Sequence, residues 1–155
     1  QTAKLIHYYC PDRNFYLFDT FSGFDKRDIN QESYQIKHSE SIIAFQDTSA
    51  EAVIRNIKPI NDNISIIKGY FPKSIPGDLN NKQYAFVHLD ADLYLPTLEG
   101  LKFFYPKVTK GGMIVCHDYN AWPGVRKAVE EFLKDKKEFA IPMPDKSGSA
   151  IILKY

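Results

Sequence analysis

Three side chains able to bind a metal ion follow two apolar segments of this chain. Asp90 comes directly after the apolar segment 86–89, and His117 and Asp118 come directly after the apolar segment 112–116. Two carboxylates held close together repel each other, and a bound divalent cation is the usual remedy. If the two segments end side by side, the pattern indicates a metal site in an enzyme. The alternative is a pair of solvated aspartates at strand ends.

The sequence around these residues predicts a strand–helix–strand unit. The helix between the two apolar segments is predicted to start near Pro96, with Leu98, Leu101 and Tyr105 on its inward face. Strands joined in this way are parallel neighbours, and their carboxyl ends lie at one edge of the sheet, where open α/β proteins bind ligands. We therefore expect the three side chains to lie close together.

Two more residues near this edge allow alternative interpretations. Asp92 is two positions after Asp90, so in a regular strand both side chains point the same way. It could accept a hydrogen bond beside the metal ligands or cap the following helix, and the capping role is favoured. His88 lies in the middle of its strand and is interpreted as a core histidine.

An earlier strand also ends in an acid. Residues 15–18 are apolar and β-favouring, and Asp19 follows them. An aspartate at this point can accept hydrogen bonds from both hydroxyls of a ribose, or it can form a turn or cap a helix. Gly69 and Tyr70 follow the next predicted strand, residues 64–67.

Composition and charge exclude several classes of protein. Hydrophobic residues make up 44% and charged residues 25% of the 155-residue chain, as in an ordinary globular domain. The net charge of +1 gives no electrostatic argument for a nucleic-acid or membrane partner. Two cysteines cannot form a disulfide framework, which favours a reducing, cytoplasmic location.

The order of predicted elements favours one α/β domain over residues 1–155. Strands and helices alternate along the chain, and the last two strands form an antiparallel hairpin around the turn at 144–148. Residues 2–9 have the pattern of a helix, with Leu5, Ile6 and Tyr9 on one face. A chain that opens inside a helix is expected to be a fragment of a longer protein. Residues 21–47 are predicted to be a long loop with some helix in it.

Four segments of the chain are distinctive. They are, in order, YLFDTFSGF (Tyr16 to Phe24), IIKGYFPKSIP (Ile66 to Pro76), FVHLDADLYLPT (Phe86 to Thr97) and GGMIVCHDYNAWPGVRKAVEEF (Gly111 to Phe132). Together they resemble the macrocin O-methyltransferase (TylF) family of class I methyltransferases, which depend on S-adenosylmethionine (SAM). The likeness covers nearly the whole chain.

The resemblance implies a Rossmann-like, mostly parallel sheet and a metal-dependent transfer of a methyl group to a hydroxyl of a sugar or small natural product. SAM would be bound by Asp19, Gly69, Tyr70 and Asp90. A divalent cation, Mg²⁺ or Mn²⁺, would be bound at the strand ends. The acceptor would be a small molecule, with neither nucleic acid nor membrane as partner, and a homo-oligomer is left open.

One segment of the family's fold is expected to lie upstream of Gln1. It contains the first strand and the glycine-rich turn that holds the methionine part of SAM. That strand would lie between the strand ending at Asp19 and the strand ending at Asp90. Without it, those two strands pair directly, or another chain fills the gap, or the true protein is longer, because unpaired backbone groups are costly to bury.

His117 departs from the family pattern, in which a second acid usually precedes the residue matching Asp118. Asp90, His117 and Asp118 are therefore the predicted metal ligands, and His117 and Asp118 the predicted catalytic residues. A neutral imidazole binds Mn²⁺ or a softer ion better than Mg²⁺, and it could instead be the general base. The alternative function is a non-catalytic, truncated methyltransferase-like domain.

Overall fold

The computed structural model of the chain describes residues 2–32, 45–46, 48–57 and 63–155. Much of the predicted long loop at 21–47 therefore lies outside the described residues. Backbone contacts separate two compact units. The first draws on residues 1–25 and 37–75 and the second on residues 26–36 and 76–155, each where its residues are described. The single domain over 1–155 stays a prediction.

The described elements comprise helices, strands and two short 3₁₀ segments. The helices are α1 (Thr2–Tyr9), α2 (Lys26–Ile29), α3 (Ala50–Ile57), α4 (Tyr94–Phe104) and α5 (Pro123–Leu133). The strands are β1 (Phe15–Asp19), β2 (Ile64–Lys68), β3 (Tyr84–Leu89), β4 (Val108–Cys116), β5 (Ala140–Pro142) and β6 (Ala150–Leu153). The 3₁₀ segments are Gly77–Asn81 and Tyr105–Lys107. Within the described residues, no helix is both long and apolar enough to cross a bilayer.

A two-stranded parallel sheet of β1 and β2 forms the first unit. Its register places Asp19 opposite Lys68, so both strands end at the same level. Helices α1 and α3 contact each other in this unit. The Ser49 hydroxyl accepts a hydrogen bond from the Ala52 amide at 3.1 Å, which satisfies one of the unpaired donors at the start of α3.

The buried face of α1 differs from the prediction. Leu5 is 57% exposed and Tyr9 is 76% exposed, whereas His7 is buried. The His7 ring stacks on the Phe15 ring with 6.3 Å between ring centres. The apolar spacing alone therefore predicted the helix correctly but not the side that packs.

A four-stranded sheet in the order β3-β4-β6-β5 forms the second unit. β3 and β4 are parallel, as predicted, and β6 runs antiparallel to both β4 and β5. Helices α4 and α5 pack against each other and bury Leu101, Val125 and Val129. Of the residues predicted for the inward face of α4, Leu98 and Leu101 are buried, whereas Tyr105 lies in the following 3₁₀ segment and is half-buried. The sheet is thus mostly built as expected, with the antiparallel hairpin at its far side.

Two expectations about connectivity need adjustment. Strict alternation required a helix between β2 and β3, but the described connection contains only the 3₁₀ segment Gly77–Asn81. Its proline, glycine and asparagine content disfavours a longer helix. Among the described strands, β1 pairs with β2 and β3 pairs with β4, in two separate sheets. Direct pairing of β1 with β3, one of three arrangements considered, is not the one observed.

Candidate active site

The register between β3 and β4 brings the predicted metal ligands together. Leu89 pairs with Cys116, the last residue of each strand. The His117 amide then donates to the Leu89 carbonyl at 2.8 Å, which continues the ladder one step beyond the strands. Asp90 and His117 therefore leave the sheet side by side, with Asp118 next along the chain.

The three side chains form one compact set of donor atoms. His117 Nδ1 lies 2.9 Å from Asp90 Oδ1 and 2.8 Å from Asp118 Oδ2. One ligand atom from each residue lies within 4.8 Å of the other two. The Asp118 side chain is 15% exposed, His117 is 29% exposed and Asp90 is 46% exposed. The set is open to solvent on the Asp90 side, where water or a substrate can reach it.

The charges of this set are coupled to one another. Burial by itself lowers the pKa of His117, but the negative charges of Asp90 and Asp118 outweigh it, so the pKa of His117 is raised. A protonated imidazole between two carboxylates neutralises part of their charge, so the two acids favour the charged form of His117.

Asp92 lies in the same group of acids, but it does not cap the following helix. Burial, a hydrogen bond to the Asp118 carboxyl and the charges of Asp90 and Asp118 raise the pKa of Asp92 to about 7. The residue preceding α4 is Leu93, which forms no side-chain capping bond, and the Tyr94 amide at the start of α4 donates to Glu32 rather than to Asp92. The favoured capping role of Asp92 was therefore wrong.

The backbone leaves the regular strand conformation at Asp92 and again at Asp118. β3 ends at Leu89, and Asp92 has a φ of 59°, in the left-handed region. Asp118 has a φ of 56° as well. Aspartate tolerates this conformation better than most residues, and such backbone is found often at functional sites. Each of these two turns places its aspartate carboxyl near the ends of β3 and β4.

Glu32 is a residue near this site that sequence reasoning missed. Its Oε1 accepts a very short hydrogen bond from the Tyr94 amide, at the start of α4. A Cβ added at Gly124, in the first turn of α5, would collide with the same carboxylate. Glu32 Oε2 is buried with no hydrogen-bond partner among the described residues, and burial raises the pKa of Glu32. No local pattern in the sequence marks this long-range contact.

His88 and Arg126 lie close to the same strand ends. His88 is half-buried, and its ring centre lies 5.7 Å from that of His117. Burial lowers the pKa of His88, so this ring is neutral beside the charged set. Arg126 is exposed and donates to the Asn120 side chain, with its guanidinium 5.2 Å from the centre of the Tyr119 ring.

The loop after Asp118 is held by the β5–β6 turn. The Asn120 amide donates to the Gly148 carbonyl at 2.9 Å, and a Cβ at Gly148 would lie 2.6 Å from the Asn120 Cβ. Asp145 Oδ1 accepts from the Ser149 amide at 2.8 Å within that turn. The antiparallel hairpin thereby fixes the segment that contains His117 and Asp118.

The predicted nucleoside-binding residues lie together in the first unit. The Gly69 amide donates to the Asp19 carbonyl at 3.0 Å, so Gly69 and Tyr70 leave the sheet next to Asp19. Asp19 is exposed, and its Oδ1 accepts from the Phe21 amide at 2.7 Å. This contact is the turn-forming role that the sequence left open, and it leaves the ribose role of Asp19 as a prediction.

The backbone of Gly69 lies so close to Ser74 that a residue with a side chain would not fit there. Its φ is 146°, and an added Cβ would lie 2.7 Å from the Ser74 Cβ. The Ser74 hydroxyl is buried and has no hydrogen-bond partner among the described residues. A buried hydroxyl without a partner is unusual in proteins. The nucleoside-binding role of Gly69 and Tyr70 stays a prediction.

Two curated proteins are similar to this chain. Demethyldecarbamoylnovobiocin O-methyltransferase of Streptomyces niveus is 26% identical over 127 residues, which cover 78% of this chain and 47% of that protein. The 8-demethyl-8-(2,3-dimethoxy-alpha-L-rhamnosyl)-tetracenomycin-C 4'-O-methyltransferase of Streptomyces olivaceus is 22% identical over 148 residues, which cover 92% of this chain and 55% of that protein. The chain spans about half the length of the curated relatives it matches.

A solved structure and a family model complete the comparison. The O-methyltransferase NovP matches with a TM-score of 0.77 and 24% identity, over 97% of this chain and 63% of that chain. This likeness shows the class I methyltransferase fold. The model of the macrocin O-methyltransferase (TylF) family matches residues 2–151. Because the match covers nearly every residue, the chain belongs to the macrocin O-methyltransferase (TylF) family.

Proposed function

We propose that this chain belongs to a SAM-dependent O-methyltransferase, assisted by a divalent cation, that acts on a hydroxyl of a sugar or small natural product. The observation that carries the proposal is the convergence of Asp90, His117 and Asp118 at the ends of two paired strands. Family membership and the names of the relatives, which are O-methyltransferases, support the same reaction. The free cysteines fit the cytoplasm as the proposed compartment.

The donor set fits a small divalent ion. Two ligands at right angles, each about 2.1 Å from an octahedral ion, are about 3 Å apart. The observed separations of 2.9 and 2.8 Å from His117 Nδ1 to the two carboxylate oxygens are close to that value. The set therefore suits a divalent cation.

Each part of the chain has a defined task in the proposed reaction. SAM supplies an electrophilic methyl group on a positively charged sulfur. Asp19 would hold the ribose hydroxyls, and the adjacent Gly69 and Tyr70 would hold the adenine. A bound cation would lower the pKa of the acceptor hydroxyl. Asp90 and Asp118 hold the negative charge that retains the cation.

His117 has two roles in this proposal that exclude each other at one nitrogen. With an ion bound, Nδ1 would be a ligand, since one oxygen of each carboxylate lies close to this atom. Without the ion, the same nitrogen could take the proton from the acceptor only while the imidazole is neutral. The ligand role is preferred here because the two acids raise the pKa of His117 and so disfavour the neutral base.

Isothermal titration of the chain with SAM, at up to millimolar ligand, tests the proposal. We expect measurable heat with SAM and release of S-adenosylhomocysteine when a suitable sugar acceptor is added. Asp118→Asn should lower turnover at least about 100-fold while leaving the circular dichroism spectrum unchanged, because asparagine tolerates the same φ. Asp135→Asn, an exposed acid after α5, is the matched control.

The alternative, a non-catalytic domain, predicts a different result. It expects neither SAM nor a divalent ion to change the melting temperature, whereas a ligand that binds the native state must raise it. An unchanged melting temperature with both ligands, together with no SAM heat, would favour this alternative.

A further inference from the structure

We propose that the site formed by Asp90, His117 and Asp118 selects a first-row transition-metal ion over Mg²⁺, with Co²⁺ bound more tightly than Mn²⁺. His117 is the ligand that makes this selection. The inference rests on the proposed function, because it concerns the same ion site.

The argument begins with the chemistry of the donor atoms. Two carboxylates suit Mg²⁺, Ca²⁺ and Mn²⁺ alike, so oxygen ligands alone would not favour a transition metal. An imidazole nitrogen suits Fe, Ni, Cu and Zn, and affinity for a nitrogen-containing site rises from Mn²⁺ to Co²⁺. Mg²⁺ gives up its water molecules reluctantly and prefers oxygen. A single nitrogen in the set therefore shifts the preference.

The position of the nitrogen makes it difficult for an ion to avoid. His117 Nδ1 lies within hydrogen-bond distance of both carboxylates, 2.9 Å from Asp90 Oδ1 and 2.8 Å from Asp118 Oδ2. An ion that contacts both acids must occupy the region that this nitrogen faces. The backbone of His117 is also fixed, since its amide continues the β3–β4 ladder at Leu89. The His117 imidazole is thus positioned to bind any ion that both carboxylates bind.

The surroundings reinforce the position of these ligands. The Asp118 carboxyl is hydrogen-bonded to the Asp92 side chain, and partners of this kind orient metal-binding carboxylates. The loop that follows Asp118 is fastened at Asn120 by the Gly148 carbonyl. Asp90, the most exposed of the three, leaves a side open for water molecules.

The experiment compares four ions on the purified chain. Dissociation constants for Mg²⁺, Ca²⁺, Mn²⁺ and Co²⁺ are measured by isothermal titration with the metal chlorides, and SAM binding is measured in parallel. We expect Mn²⁺ and Co²⁺ to bind at least about tenfold more tightly than Mg²⁺, with Co²⁺ the tighter of the two. Electron spin echo modulation of bound Mn²⁺ should show coupling to one imidazole nitrogen, a readout that needs no variant.

A variant then assigns the preference to one residue. His117→Asp replaces the nitrogen by a third carboxylate, so the ratio of Mg²⁺ to Mn²⁺ dissociation constants should fall toward one and the nitrogen coupling should disappear. Asp135→Asn is the control and should leave both unchanged. Circular dichroism checks that the variants are folded.

The outcomes separate this inference from the proposed function. Mg²⁺ binding as tightly as Mn²⁺, an absent nitrogen coupling, or an unchanged ratio in His117→Asp would each overturn selection by His117, while SAM binding would leave the methyltransferase proposal standing. Absence of binding by all four ions would remove both the ion site and its selectivity. Absence of SAM binding alone would count against the proposed function and leave the metal preference intact.

Discussion

At the scale of single residues, the site depends on positions where the backbone leaves its regular path. Asp92 and Asp118 have positive φ angles, and Gly69 has a φ of 146°. The sequence indicated which residues end the strands, because apolar segments followed by acids are visible in it. It could not indicate the contact between Asp92 and Asp118, because that contact depends on two left-handed turns rather than on alternation.

Gly69 provides the sharpest test at this scale. Gly69→Ala should lower the free energy of unfolding by about 1–3 kcal/mol, since the new Cβ would lie 2.7 Å from the Ser74 Cβ on a strained backbone. SAM affinity should fall with it. Gly77→Ala is the matched control, because nothing lies within 4 Å of its added Cβ, and it should change stability by less than about 0.5 kcal/mol.

Urea unfolding and SAM titration of both variants provide the measurement. Equal stability of the two alanine variants would contradict the close approach at Gly69. Loss of stability in Gly69→Ala without any loss of SAM affinity would show that the glycine serves the fold alone.

At the scale of elements, two helices begin without a capping side chain of their own. Leu93 precedes α4 and Trp122 precedes α5, and neither forms a side-chain capping bond. Glu32 supplies the missing acceptor to α4 and lies against the start of α5 at Gly124. A negative charge near two helix starts is favoured by the helix dipoles. One residue thus joins the starts of two helices of the second unit.

Removing this acceptor should loosen the starts of both helices. Glu32→Ala is expected to lower the free energy of unfolding by about 1–2 kcal/mol, because the Tyr94 amide loses its partner. Glu32→Gln should retain most of the stability, since its amide oxygen can still accept. The control is Glu99→Ala, which removes only a surface pair with Lys102 and should cost at most about 0.5 kcal/mol.

Urea unfolding of the three variants measures these differences. If Glu32→Ala and Glu99→Ala were equally stable, the contact with α4 would have no energetic role. A Glu32→Gln variant as unstable as Glu32→Ala would show that the charge matters more than the hydrogen bond.

At the scale of the whole molecule, two groups with opposite pKa shifts determine how stability depends on pH. Glu138 accepts from the Tyr105 hydroxyl at 2.5 Å and pairs with Lys154 at 3.3 Å, and these contacts lower its pKa to about 2. Asp92 is shifted the other way, to about 7, chiefly by burial. The first group stabilises the fold only when ionised, and the second disfavours the fold once ionised.

The metal-free chain should therefore be most stable in mildly acidic solution. The Glu138 contribution is present above about pH 4.5 and is lost as the pH falls toward 2. The Asp92 penalty develops as the pH rises from about 4 to about 7. The raised pKa of His117 acts in the same direction, because its contribution is lost as the pH rises through the folded value. We expect maximum stability near pH 4–5.

Melting temperatures from pH 2 to pH 9 check this dependence of stability on pH. Two variants each remove one of the two groups that cause it. Asp92→Asn should flatten the decline toward neutral pH, and Glu138→Gln should flatten the decline toward acid. Each substitution is expected to change the free energy of unfolding by about 1–3 kcal/mol in the affected pH range. A metal-free optimum above pH 7 in the unmodified chain would contradict the assigned shifts.

Some features of the fold and the site could be predicted from the sequence, and others could not. The parallel pairing of β3 with β4, the C-terminal hairpin and the meeting of Asp90 with His117 and Asp118 all follow from local patterns plus the handedness of strand–helix–strand units. The packed face of α1 and the role of Glu32 depend on contacts distant in sequence. Periodicity carries no information about these contacts.

The burial of Cys116 at the end of β4 has a practical consequence. Its side chain is fully buried, and burial raises the pKa of its thiol to about 12, whereas Cys10 is exposed. A maleimide dye at neutral pH will therefore label Cys10 alone, since only thiolates react at a useful rate. Protein labelled at one position for fluorescence titrations can thus be prepared without replacing either cysteine.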